Sequence, residues 1–347
     1  MKKGTDVLAS LLSRELRQAP DAVARQQEEL RQPVHALVER LVAKPPQVVV
    51  TCARGSSAHA ATFGKHLIER HLRIPVAAAA PVVATAYKRD LRLKDQLVIM
   101  VSQSGRSDDL IEQARSARRG GALTAALVNE VNSPLANACE FVLPIGAGAE
   151  ESVAATKSFV ASLAALLRLT AHWTGDHGLD AALDRLPDRL ARATDLDWSA
   201  ARDGLTRATG LIAIGRGPTL AIAREAALKL KETCAVQAEA YSGAEFMHGP
   251  VTLVAPGYPI LMFMPNDEAV ADLPKLADDL VAKHAAVFTT ANTGAGMIRL
   301  PVLPGDNAET DAICLIQSFY GMMVGLAERR GMSADRPRHL QKVTRTK

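Results

Sequence analysis

The chain has 347 residues, about two domains' worth at the usual ~150 residues each. Its 48% apolar and 22% charged composition excludes disorder as the overall state. The 41 basic and 37 acidic residues leave a net charge of +4, scattered rather than blocked. That excludes the basic stripe that neutralises a nucleic-acid backbone and leaves a small anion as the charged partner.

The N-terminus carries Lys2 and Lys3 but mixes charge into its apolar stretch and shows no cleavage site, so a cytoplasmic protein is expected. Residues 5–44 have helical periodicity, broken by Pro20 and Pro33 and ended by Pro45-Pro46. Short β-rich apolar runs then recur at 47–52, 96–101, 122–128 and 141–145, separated by helix-like segments at 58–70 and 108–119. Buried strands alternating with helices predict a parallel, doubly wound sheet. A long helix over 154–173 closes this half. Its apolar run Val160 to Leu167 stops at Arg168, well short of the ~20 residues that span a bilayer. Residues 174–199, with Gly175, Gly178 and Pro187, read as a helical connector. The pattern restarts with a strand at 210–214, a helix over 220–241, strands at 259–264, 285–290 and 298–303, and a last helix over 311–330. The expected organisation is an α/β protein of two tandem doubly wound domains, each a three-layer α/β/α sandwich. The boundaries are a helical segment 1–45, a first domain 46–175, the connector 176–200, a second domain 201–330 and a tail 331–347.

The halves read as copies. Arg54-Gly55-Ser56-Ser57 ends the first strand of one, and Arg216-Gly217-Pro218-Thr219 that of the other. They diverge where chemistry would sit. One half runs into Ser102-Gln103-Ser104-Gly105, whereas its counterpart ends Met264-Pro265-Asn266-Asp267-Glu268. Loops at the carboxyl ends of parallel strands lead into helix N-termini that favour anions. Ser56, Ser57, Ser102, Ser104 and Ser107 therefore form a candidate phosphate cluster, although any one of them could instead cap a helix. Neither GxxxxGK[ST] nor a complete GxGxxG is present, so a nucleotide site is not expected. Glu225, Lys229 and Glu232, at i, i+4 and i+7, share a helical face. They form either a solvated ion-paired face or, with His248 before Gly249-Pro250, a proton-moving set suited to a sugar phosphate. Cys52, Cys139, Cys234 and Cys314 lie far apart with no His at zinc spacing. Reduced thiols are expected, with no metal site and no organic cofactor.

Five segments in order, Ser102-Gln103-Ser104-Gly105, Glu151 to Lys157, Leu228 to Glu232, His248 to Pro250 and Arg336 to Lys342, resemble the tandem sugar isomerase (SIS) family. The likeness is closest to the isomerase half of glucosamine-6-phosphate synthase and to stand-alone amino-sugar-phosphate deaminases, and it covers the chain from about residue 30 onward. The resemblance implies a flavodoxin-like fold and a phosphate held by Ser57, Ser102, Gln103, Ser104 and Ser107 with Ser56 close by. It implies sugar contacts from Gly55, Val153, Ala154 and Ala155, a C1/C2 proton-shuttling carboxylate at Glu232, a ring-opening imidazole at His248, and active-site lysines at Lys229 and Lys342. In the synthase the counterpart of His248 comes from the neighbouring subunit, so a homodimer with shared active sites is implied. Two departures stand out: Ala155 replaces a serine, and Arg106 replaces the glutamate common in that phosphate loop.

No counterpart of the synthase's glutamine-hydrolysing domain is expected from a chain that reads Met1-Lys2-Lys3. The expected direction is therefore glucosamine 6-phosphate to fructose 6-phosphate and ammonia, without metal or cofactor. Two alternatives remain: a deglycase for 6-phosphorylated fructosamines, for which Ala155 leaves room at C2, and a non-catalytic sugar-phosphate sensor. Neither a nucleic-acid nor a membrane partner is expected.

Overall fold

The computed structural model describes residues 10–291 and 294–342. The expected helix start at residue 5 and the tail residues 343–347 lie outside this range. Two short parallel sheets organise the chain. The first contains β1 (Val49–Ala53), β2 (Val76–Ala78), β3 (Leu97–Ser102), β4 (Leu123–Val128) and β5 (Phe141–Pro144) in the order β2-β1-β3-β4-β5. The second contains β6 (Gly210–Gly215), β7 (Gln237–Ser242), β8 (Pro259–Phe263), β9 (Ala286–Thr289) and β10 (Ile298–Arg299) in the order β10-β9-β8-β6-β7. Read from the other edge, the second order is the first one repeated. The fold is thus the expected doubly wound α/β arrangement in two tandem copies.

The helices are α1 (Leu11–Arg17), α2 (Ala19–Ala43), α3 (Gly55–Leu67), α4 (Val82–Thr85), α5 (Asp108–Arg119), α6 (Pro134–Ala138), α7 (Lys157–Thr174), α8 (His177–Thr194), α9 (Ser199–Leu205), α10 (Thr219–Cys234), α11 (Gly243–Met247), α12 (Leu273–Ala282) and α13 (Ala308–Arg329). Two compact units emerge. Residues 21–150, 157–185 and 341–342 surround the first sheet; residues 10–20, 151–156 and 186–340 surround the second.

In the first unit β3 is the core strand, with every residue buried. Strand alternation sends Val98 and Met100 towards Leu110, Ile111 and Ala114 of α5, in a cluster that Val50 and Cys52 of β1 complete. Asp108 and Asp109 open α5 and Arg118 and Arg119 close it, complementing the helix dipole at both ends. Pro33 does not break the N-terminal helix as expected; it lies inside the 25-residue α2. Leu30, Val34, Leu37 and Leu41 form a buried stripe along that helix. Burying four such side chains, at about 1.5–3 kcal/mol each, outweighs the ~3 kcal/mol cost of an interior proline.

In the second unit the expected helix 220–241 is really α10 followed by β7. Ala235, at φ +51°, turns the chain left-handed, and Gln237–Ser242 pairs along the whole of β6. Gln, Ala and Glu carry helical propensity, but the free edge of β6 offers them a ladder. The strand at 76–78 likewise has no local signal in its Pro75-to-Pro81 alanine run. Among the described residues α13 is the one helix long and apolar enough, by length and composition, to cross a membrane, and 89% of its most apolar stretch is buried. Inside this helix Gln317 donates to the Leu16 carbonyl and to Thr194 Oγ1, and Ser318 donates to the Ala193 carbonyl. Such polar ties fit a packed core helix.

Candidate active site

In the first unit β1 and β3 are in-register neighbours, Ala53 beside Val101. The loops that follow them therefore leave the same end of the sheet side by side. Gly55, Ser56 and Ser57 form the first turn of α3, where backbone N–H groups lack intrahelical acceptors. Gly55 adopts φ +51°, and its repeat counterpart Gly217 adopts +55°. The neighbouring loop is shaped by its own hydroxyls. Ser102 Oγ accepts from the Gly105 N–H at 3.1 Å, and Ser104 Oγ from the Arg106 N–H at 3.3 Å. Gly105 sits at φ +61°, and a Cβ there would lie 2.0 Å from Ser133 Oγ. Only glycine fits the loop at this point.

Ser107 occupies the N-cap of α5, yet its side chain makes no capping hydrogen bond. Capping is fulfilled elsewhere, by Ser133 on α6. Gln103 is tied through its carbonyl to the Asn129 N–H, and Asn129 also grips the Ala147 N–H and the Gly148 carbonyl. Arg54 pairs with buried Asp109 at 2.8 Å, so a cation stands where β1 meets the loop. Arg106 is exposed. In the second half the corresponding turn is closed on itself: Thr219 Oγ1 accepts from the Arg216 N–H and donates to the Phe263 carbonyl at 2.7 Å. In this copy the turn's hydroxyl is thus spent on the fold.

The same unit holds Lys342. Its Nζ lies 3.3 Å from Glu150 Oε2. Glu150 also accepts from the Ser158 N–H at 3.1 Å and from Ser158 Oγ at 2.6 Å, at the N-terminus of α7.

In the second unit α10 carries the charged trio. Lys229 Nζ lies 2.5 Å from Glu232 Oε2 and 3.4 Å from Glu225 Oε1. The solvated-face reading is corrected here: the side chains of Lys229 and Glu225 are 1% and 0% exposed and only Glu232 reaches solvent, at 21%. Tyr320 of α13 adds a hydroxyl 3.3 Å from Glu225. Burial pushes the Lys229 pKa down, but the two facing carboxylates outweigh it and the net shift is upward. Lys229 is therefore an ammonium at neutral pH.

Val153, Ala154 and Ala155 lie in a non-helical loop before α7; Ala154 is buried, and its neighbours are half-buried. Residues distant in sequence hold this loop. Glu15 accepts from the backbone N–H groups of Glu151 and Ser152 and from the Ser152 hydroxyl, and the Asp335 carbonyl accepts from the Val153 N–H at 3.2 Å. The Asp335 carboxylate in turn accepts from the N–H groups of Leu11 and Leu12. His248 ends α11 in an exposed position, after a capping box made by Ser242 and Glu245.

The two loops and the α10 trio are legible in the sequence; Glu15, Glu150, Asp109, Tyr320 and Asp335 are not. The adjacent pair Glu150-Glu151 ahead of a helix start was the one signal for Glu150; nothing local marked the other four. No cluster of three His, Cys, Asp or Glu side chains able to hold a metal occurs among the described residues.

Comparison with known proteins agrees with this fold. The profile of the SIS domain matches residues 43–171 and 204–295. A Silicibacter pomeroyi protein assigned provisionally as a phosphosugar isomerase has a crystal structure that superimposes with a TM-score of 0.90 at 43% identity, covering 94% of this chain and 100% of that one. A glutamine–fructose-6-phosphate aminotransferase (isomerizing) of Aeropyrum pernix is 32% identical over 328 residues, 87% of this chain and 52% of that protein. The chain thus spans about half the length of the curated relatives it matches. Glucosamine-6-phosphate deaminase of Thermotoga maritima shares the fold at a TM-score of 0.73 and 22% identity, covering 95% of this chain and 100% of that one.

Proposed function

Because the chain belongs to the SIS domain family, we propose that it is a phosphosugar isomerase acting on a hexosamine 6-phosphate, which it converts to fructose 6-phosphate and ammonia. The observation that carries this reading is the buried ammonium of Lys229 against Glu232, the only carboxylate of the trio that reaches solvent. Isomerisation next to a C=O or C=N needs a base for the carbon-bound proton and a fixed cation for the charge that develops. Glu232 has the access for the first role. Lys229, held protonated, suits the second and not the first.

In the proposed sequence His248 assists ring opening to the aldehyde. Glu232 takes the proton from C2 of the open amino sugar, and the electron pair forms the C1–C2 enolamine, whose oxygen the ammonium stabilises. Glu232 returns the proton to C1 while a nitrogen-bound proton passes to the C1 oxygen, which leaves a hydroxyl at C1 and an imine at C2. Water adds to that carbon and ammonia departs, giving the ketose. The phosphate is assigned to Ser56, Ser57, Ser102, Gln103, Ser104 and Ser107 with the N–H groups opening α3, and the sugar contacts to Gly55, Val153, Ala154 and Ala155. The exposure of His248 on α11 is in keeping with a homodimer in which it serves the partner's site.

The test is incubation with glucosamine, galactosamine and fructosamine 6-phosphates while ammonia is measured, run in parallel in D2O. Ammonia release with solvent deuterium at C1, both lost in Glu232→Gln, is the expected result. Deuterium exchange without ammonia would leave an isomerase and remove the deaminase; neither signal from any phosphosugar would overturn the reading.

A further inference from the structure

The tail carrying Lys342 has little apolar means of staying in place. Pro337 is buried, but Leu340, the one large apolar side chain near its end, is 41% exposed. The contact that ends the described tail is polar: Lys342 Nζ on Glu150 Oε2 at 3.3 Å. Glu150 is a prepared acceptor. Its side chain is 0% exposed, Ser158 gives it a backbone N–H and a hydroxyl, and it faces the N-terminal turn of α7, where the helix dipole favours a carboxylate. The short segment bearing it is clamped next door by Lys157, buried, whose Nζ donates to the Ala149 carbonyl at 2.6 Å. A carboxylate this enclosed is costly without donors, so the lysine and the acid order each other.

We propose that Glu150 is the positioning residue for Lys342: a buried carboxylate, fixed by Ser158, that holds the tail amine at one place. This rests on the function proposed above together with the active-site role that the family resemblance implies for Lys342. Glu150 itself touches no substrate in this scheme and acts through Lys342. The tail lysine is then presented by an acid 192 positions earlier in the chain, and the precision of its placement comes from the α7 entrance.

The experiment combines kinetics with acetic anhydride labelling of Lys342, read by peptide mass spectrometry without substrate. Glu150→Gln should raise Lys342 labelling several-fold and lower kcat about tenfold or more, as for one lost charge-assisted hydrogen bond, with KM changed less than about two-fold. Glu150→Asp should restore part of both. The double variant Glu150→Gln/Lys342→Ala should be no slower than Lys342→Ala alone. Unchanged labelling in Glu150→Gln, or losses in the double variant that multiply, would overturn the proposal. If the Gln variant fails to fold, Glu150→Asp carries the same labelling comparison, with Ser158→Ala as the control that keeps the lysine contact. A wild-type protein inactive on every phosphosugar would refute the proposed function, yet the labelling would still decide whether Glu150 holds the lysine.

Discussion

Lys229→Met is the most informative single change, because the methionine keeps the volume of the side chain while removing its ammonium. At 3.4 Å from Glu225 the gross attraction is about 5 kcal/mol at an effective dielectric constant of about 20, and at 2.5 Å from Glu232 it is about 7 kcal/mol. Desolvation of each ion offsets several kcal/mol of this. The upward shift of the Lys229 pKa shows that the carboxylates win. Removing the ammonium leaves Glu225 charged at 0% exposure, and breaking a buried pair in this way costs about 3–5 kcal/mol. At about 2–4 °C per kcal/mol for 150–250 residues, the unit around the second sheet should melt roughly 10 °C lower. The assay is thermal denaturation followed by circular dichroism at neutral pH. Adding Glu225→Gln should recover most of the loss, since the fully buried charge is gone and Glu232 still reaches solvent, but should not recover activity. The sign with pH is fixed as well. A lysine whose folded pKa is raised contributes stability fully present below its ordinary value of 10.5 and lost as pH rises through the folded value, so the gap between wild type and variant should close only under strongly alkaline conditions. A Lys229→Met protein within 1 kcal/mol (about 2–4 °C) of wild type, or a double variant no more stable than the single, would refute the reasoning.

Ser104→Ala should raise KM about tenfold or more, since it removes a hydroxyl assigned to a charged phosphate; an unchanged KM for every phosphosugar would count against the loop. Gly105→Ala meets both a left-handed backbone and Ser133, and should lower the melting temperature and weaken phosphate binding together, measured by calorimetry with and without inorganic phosphate. A mixed dimer of Glu232→Gln and His248→Ala chains should regain activity if the site is shared, whereas a fully active monomer in sedimentation would end that idea. Burial pushes the thiols of Cys52, Cys139 and Cys314 to about 12 and that of Cys234 to about 11, so all four should react with a disulfide reagent only after denaturation; titration of any one in the folded protein would contradict the packing.

The sequence by itself determined the parts whose signals are local. Strands such as Leu97–Ser102 announce themselves as apolar β-rich runs because both faces are buried. The Gly55 and Gly217 turns mark the repeat because a left-handed residue at a strand end needs glycine, and the hydroxyls of the Ser102–Ser107 loop stand within a few residues of one another. Tertiary structure alone decided the rest. Gln237–Ser242 became a strand because β6 had an edge to fill. The trio on α10 changed from a solvated face to a buried pair because α13 brings Tyr320 onto Glu225, 95 positions away. Glu15, Glu150 and Asp335 reach partners 137, 192 and 324 positions distant. Periodicity and motif spacing record what a residue does within one turn or one strand, whereas the burial of a charge and the identity of its partner depend on which distant segment packs against it.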